Sequence, residues 1–183
     1  MLPLLWYRRA RYGYAFRRIR MAQPRYAKVA PGDYKGLREY EWFTQKGKSC
    51  FYAARRARGT KGNKLATIYM HHELIDVADG LLIDHVNQDS MDNRRANLRG
   101  ATRAQNIRNR KKFPKSSSSK YKGIYWRKKT CKWEVKITFE RKKIYLGTFC
   151  DEIEAAKAYD RAAIKYHGEF ASLNFPKSGR GRH

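Results

Sequence analysis

From Cys131 to Phe139 the chain alternates without a break. Cys131, Trp133, Val135, Ile137 and Phe139 fall on one side, and Lys132, Glu134, Lys136 and Thr138 on the other. A period of two marks a strand with one buried face. The flanking segments follow the same frame. Ile124, Trp126, Ile144 and Leu146 take apolar positions, while Tyr125, Arg127, Lys143 and Tyr145 take polar ones. Turns at 128–130 and 140–142 give three antiparallel strands. A helix then follows, with Asp151 as N-cap and Glu154 three residues on. Its apolar stripe is Ala156, Tyr159, Ala163 and Tyr166, and Gly168 ends it. The small alanines let this helix lie close on the apolar face of the sheet. The other face, bearing cations and phenols, stays open, and a sheet of this kind can enter a DNA major groove.

The charge balance points to the same partner. Lys and Arg total 42 against 16 Asp and Glu, a formal charge of +26, which makes a polyanion the expected partner. Aromatics make up 14% of the chain, too many for a disordered basic tail. Cys50, Cys131 and Cys150 form no CxxC pair, so no structural zinc is expected and the cysteines read as free thiols. No apolar run reaches the ~20 residues of a membrane span. The apolar run MLPLLW is short for a signal-peptide core and leads into arginines. The expectation is a soluble, cytoplasmic protein that does not engage a membrane.

A second organised stretch runs from Leu82 to Arg110. A short apolar run ends in Asp84-His85, Asn97-Leu98 follows after a polar loop, and Thr102 opens a polar helix carrying Gln105 and Asn106. The ordered set Asp84-His85, Asp92-Asn93-Arg94, Asn97-Leu98-Arg99 and Gln105-Asn106 resembles the HNH endonucleases. The nearer likeness is to their phage and homing-type branch, built on the ββα-metal motif. That resemblance implies His85 as general base, Asp84 and Asn106 as metal ligands, and Asn97 as the residue that holds the loop and orients the imidazole. The ion implied is a divalent metal, magnesium with manganese as an alternative. Arg94, Arg95, Arg99, Arg108 and Arg110 are candidates for holding the DNA backbone.

Tyr121-Lys122-Gly123-Ile124, Tyr145-Leu146-Gly147-Thr148-Phe149, the run Glu154 to Asp160 and Leu173-Asn174-Phe175-Pro176 resemble the Apetala/ethylene-response-factor DNA-binding domain. By that resemblance the DNA contacts carry to Tyr125, Arg127, Lys136, Lys143 and Tyr145. The plant domains place Arg, Glu, Arg and Trp at Tyr125, Lys136, Thr138 and Tyr145, so base preference does not transfer.

The expected fold class is therefore α+β. Residues 1–20 form a basic aromatic extension, either disordered or a DNA-binding arm. Residues 21–110 form a β-rich HNH ββα-metal nuclease domain, with Trp42 and Phe43 in its core and His71 behind its hairpin. A Ser-rich tether covers 111–120, the Apetala-like domain 121–176 and a basic tail 177–183. The expected activity is a metal-dependent, homing-type endonuclease of bacterial or phage origin. A monomer of it would nick double-stranded DNA, leaving 5′-phosphate and 3′-hydroxyl ends. Two other classes stay open: a DNA-binding transcriptional regulator with an inactive nuclease scaffold, and a structural RNA-binding protein.

Overall fold

The computed structural model describes residues 2–47, 50–58, 65–112 and 118–176. It is an α+β protein of antiparallel sheets and short helices. These residues divide into two compact units, one up to Thr102 and one from Arg103 onward. Half of the expected tether (113–117) and the basic tail lie outside the described residues.

The first unit opens with helix α1 (Leu2–Tyr12). The segment has no β-branched residue, and Pro3 sits in the first turn, where a missing N–H costs nothing. Gly13, at φ +76°, turns the chain out of the helix. Strand β1 (Arg17–Arg20) then pairs antiparallel with β2 (Tyr26–Val29), Ile19 facing Ala27. Residues 2–20, grouped in the sequence as an extension, thus divide between a helix and a strand, and Ile19 lies in the core. Helix α2 (Tyr34–Leu37) leads to a three-stranded sheet of β3 (Phe43–Lys46), β4 (Phe51–Arg58) and β5 (Leu65–Tyr69), in that order. Helix α3 (Met70–Leu74) follows, then a hairpin of β6 (Leu82–His85) and β7 (Leu98–Ala101). Val29, Leu37, Trp42, Ala53, Met70, Leu74 and Leu98 form the apolar centre. Trp42 is buried as expected, its Nε1 donating to the Leu37 carbonyl at 2.6 Å, whereas Phe43 is half-buried.

The second unit holds α4 (Arg103–Asn109), the sheet β8 (Ile124–Arg127), β9 (Lys132–Phe139) and β10 (Lys142–Phe149), and α5 (Glu152–His167). Strand β9 is central. Ile124, Val135 and Ile137 are buried against Ala155, Ala156, Tyr159 and Ala163 of α5, the packing that the alternation and the alanine stripe require. Asp151 caps α5 by accepting from Glu154 N at 2.7 Å. The Glu154 carboxylate bonds Lys157 instead of closing a capping box. Gly123, at φ +79°, lies under α5, where an added Cβ would meet the Tyr159 ring at 2.0 Å. Cys131, expected to open the central strand, is exposed in the preceding turn at φ +48°.

After α5 a 3-10 turn (Gly168–Phe170) leads into an irregular segment. It is held by side chains: Asn174 Oδ1 accepts from Lys122 N at 2.7 Å, and Asp160 accepts from the backbone N–H groups of Asn174 and Phe175, each at 2.8 Å. The described ends of the expected tether are also attached. Ser118 Oγ accepts from Trp126 N, Ser119 Oγ accepts from Tyr121 N, and Lys112 Nζ donates to the Tyr121 carbonyl.

Candidate nucleic-acid interface

The β6–β7 hairpin brings Asp84, His85 and Asn97 together. Register pairs Asp84 with Arg99 and His85 with Leu98. All three polar side chains are buried. The Asp84 carboxylate accepts from both Nε and Nη2 of Arg99 at 3.0 Å. Asn97 braces the loop: its Oδ1 accepts from Asn87 N at 3.0 Å, and its Nδ2 donates to Asn87 Oδ1 and to the Asp92 carbonyl. The imidazole of His85 meets Asn93, Nε2 donating to Oδ1 at 3.3 Å. Asn93 is fully buried and was missed as a site residue, although it stands inside the quoted Asp92-Asn93-Arg94 run.

Around His85 lies a box of rings. His71 meets it edge-on at 5.4 Å between centroids, and Tyr52 stands 6.4 Å away. Burial, with His85 and His72 nearby, pushes the His71 pKa down to about 3. Burial also lowers that of His85, against the upward pull of Asn93 and Asp84. Both rings are therefore neutral near pH 7.

Three of the arginines proposed for the DNA backbone are engaged within their own unit. Arg94 grips the fully buried Asp92 through Nε and Nη2 at 2.8 and 2.7 Å and lies 3.3 Å over the Tyr14 ring. Arg95 donates to Asp33 and the Leu74 carbonyl, and Arg99 to Asp84. Arg108, Arg110 and Asn106 belong to the second unit. The structure thus places Asp84 and Asn106, the expected metal pair, in different compact units.

The sheet of the second unit presents a different surface. Opposite its apolar face, Tyr125, Arg127, Lys143 and Tyr145 are exposed and Lys136 is half-exposed. Register sets Lys136 beside Tyr145 and Lys143 beside Thr138 on one edge, and Tyr125 beside Glu134 on the other. Glu134, at the centre, accepts from Arg127 Nε and Nη2 at 2.8 and 2.9 Å and from Lys136 Nζ at 2.6 Å. Lys136 and then Arg127 hold its carboxyl below the usual carboxylate range. A cleft of about 280 Å³ opens here between Tyr125, Arg127, Glu134, Lys136, Thr138 and Lys143. All five sheet residues singled out from the sequence lie on this one face.

A three-stranded antiparallel sheet on one helix, with this open face, is the architecture that the Apetala resemblance implies. Comparison with known proteins agrees that the chain carries an AP2/ERF-like DNA-binding domain, over part of its length. It is 40% identical over 72 residues to the AP2-like ethylene-responsive transcription factor TOE2 of Arabidopsis thaliana, 39% of this chain and 15% of that protein. Over 62 residues it is 47% identical to APETALA2-like protein 2 of Oryza sativa subsp. japonica, 34% of this chain and 14% of the relative. Over 59 residues it is 46% identical to the ethylene-responsive transcription factor WRI1 of Arabidopsis thaliana, 31% of this chain and 14% of the relative. The chain therefore spans about a seventh of the length of these relatives, and the matched lengths suit the sheet-and-helix unit. No protein-family model matches the chain.

These findings correct the cleavage reading. Two of these relatives are named as transcription factors and none as an enzyme, which supports the regulator alternative over an HNH nuclease, a homing element or a phage hydrolase. The structure offers a physical reason for the misreading. Polar residues that suggest catalysis in sequence are here cross-bonded: Asp84 to Arg99, Asn97 to Asn87, and Asp92 to Arg94. Bacterial or phage origin loses its support in the same way, since these relatives are plant proteins. Among the described residues no helix is long and apolar enough to cross a membrane.

Proposed function

We propose that the protein is a DNA-binding transcriptional regulator that engages duplex DNA through the open sheet face of its second unit. The observation that carries this reading is the segregation of that sheet. One face is closed by α5, and the other presents Arg127, Lys136 and Lys143 with the phenols of Tyr125 and Tyr145. The cations supply phosphate attraction and bonds to base edges, and the flat aromatic groups add apolar contact. Arg110, exposed beyond α4 in the same unit, and Arg108 contribute flanking phosphate contacts. In this reading the first unit is a scaffold, and its β6–β7 hairpin does no cleavage. The likeness to the transcription factors TOE2 and WRI1 supports the same assignment.

The test is a titration of labelled duplex DNA with the full chain at fixed salt. Replacing Arg127, Lys136 and Lys143 together by Ala should weaken binding by at least about tenfold, with the far-ultraviolet spectrum unchanged. A reporter promoter bearing a bound sequence should respond to the wild-type chain and not to the variant. Equal affinity of variant and wild type would overturn the assignment.

A further inference from the structure

On the polar face of the three strands, Glu134 is the only acid among the described residues. A carboxylate on a surface that meets a polyanion lowers general affinity. Its contribution is therefore sought in what it holds. Glu134 takes the Nε and Nη2 N–H groups of Arg127 side-on, at 2.8 and 2.9 Å. A guanidinium has five donors in a rigid plane. With the Nε–Nη2 edge occupied, the outer edge, formed by Nη1 and the second Nη2 hydrogen, stays open on a side chain that is 53% exposed. That outer edge has the spacing that bonds O6 and N7 of guanine. Lys136 Nζ, at 2.6 Å from the same carboxylate, fixes Glu134 from the other side, so that the acid is itself held. Arg127 closes β8 and Glu134 lies on the neighbouring central strand, so the clamp is built across two strands of a sheet packed on α5.

We infer that Glu134 is a positioning residue. It holds Arg127 side-on so that the outer guanidinium edge meets a guanine in the major groove. The inference rests on the DNA-binding reading and deepens it, by naming one base that the face selects and the residue that enforces the choice. Free in solution, an arginine side chain visits many rotamers, and ordering it on binding costs free energy for right and wrong bases alike. Held in advance, it meets guanine with two bonds and leaves a donor opposite a donor when adenine takes that place. The carboxylate thus trades general affinity for discrimination.

The experiment selects bound sequences from a pool of randomised duplex DNA with the full chain, and compares wild type, Arg127→Ala, Glu134→Gln and the double variant. Wild type should show a guanine position that Arg127→Ala loses by about tenfold or more, with preferences elsewhere retained. Glu134→Gln should weaken the preference at that same position several-fold while raising affinity for unselected duplex, because a negative charge has gone. A merely structural role would lower affinity for all sequences together. In the Arg127→Ala background, Glu134→Gln should have no further effect at that position. Glu134→Gln protein that discriminates as wild type does, or a double variant that loses more than Arg127→Ala alone, would overturn the clamp while leaving DNA binding in place. A wild-type chain that retains no duplex from the pool would overturn the DNA-binding reading, and the clamp with it.

Discussion

Two polar surfaces of this protein are rich in charge, and they differ in where the charge goes. Around the β6–β7 hairpin of the first unit, Asp84, Asp89 and Asp92 hold Arg99, Lys28 and Arg94 respectively. Asp84 and Asp92 are buried, as are Asn93 and Asn97. On the sheet face of the second unit a single acid is shared by Arg127 and Lys136, while Lys143, Tyr125 and Tyr145 stand exposed. The contrast separates architecture from interface. Charges matched within their own unit fix a loop, since breaking a buried pair leaves an uncompensated ion. Cations in excess on an open face add little to stability and gain their effect from a partner.

The sharpest way to break the contrast is to remove the platform under one side of it. Gly123→Ala should cost more than about 4 kcal/mol, because the new methyl falls 2.0 Å from the Tyr159 ring and 2.9 Å from the Lys136 carbonyl at a positive φ. Thermal unfolding followed by circular dichroism checks this, and duplex binding should disappear with the fold. Next, Asp84→Asn should destabilise the first unit by about 3 kcal/mol by taking away the buried negative charge that Arg99, only 15% exposed, pairs with. Duplex affinity should be retained. Denaturant unfolding measures the first effect and a DNA titration the second.

Acid should act on the first unit through its two buried imidazoles. The folded pKa of His71 is about 3 and that of His85 is also lowered, both by burial. Below about pH 6.5 the unfolded imidazoles take protons that the folded ones refuse. The unfolded state then binds more protons, and stability falls as pH drops from about 6.5 toward 3. By pH 4.5 the loss from His71 alone is about 2–3 kcal/mol. Melting temperatures between pH 4.5 and 7.5 should show this slope, and His71→Phe should flatten it.

The smallest expected effect has the opposite sign. Glu140 and Arg141 form the β9–β10 turn with φ of +47° and +65°, where side chains with a Cβ are strained. Glu140→Asn with Arg141→Gly should stabilise the second unit by about 1 kcal/mol, a rise of a few degrees in melting temperature. The reading face should bind DNA unchanged.

How much of this was legible in the sequence follows the same division. The sheet and α5 were readable because burial on one face imposes a period of two on β9 and a helical stripe on Ala156, Tyr159 and Ala163. The polar residues Tyr125, Arg127, Lys136, Lys143 and Tyr145 then fell on one surface by geometry alone. The hairpin was harder. Asp84, His85 and Asn97 lie on one hairpin, and the partners that set their chemistry, Arg99 across the hairpin and Asn93 within the loop, depend on register and loop path. Nor does hydrophobic pattern show that α4, with Asn106, groups with the second unit and not with the hairpin before it. The same limit hid Glu134 as the hub of the reading face. Its side of the strand was evident, while its hold on two cations depends on which residues β8 and β9 set opposite each other.

The central claim is that the open sheet face, and not the helix behind it, meets the DNA. The most direct measurement is the slope of log affinity for duplex DNA against log salt concentration, for the full chain and two triple variants. One variant replaces Arg127, Lys136 and Lys143 by Ala, and the other replaces the exposed Lys157, Arg161 and Lys165 of α5. Each lost phosphate contact lowers the slope by about 0.9, so the sheet variant, losing two lysines from phosphates and Arg127 from a base, should lose about 2 units and the helix variant less than about half a unit. Equal losses in the two variants, or a larger loss from the helix variant, would contradict the account.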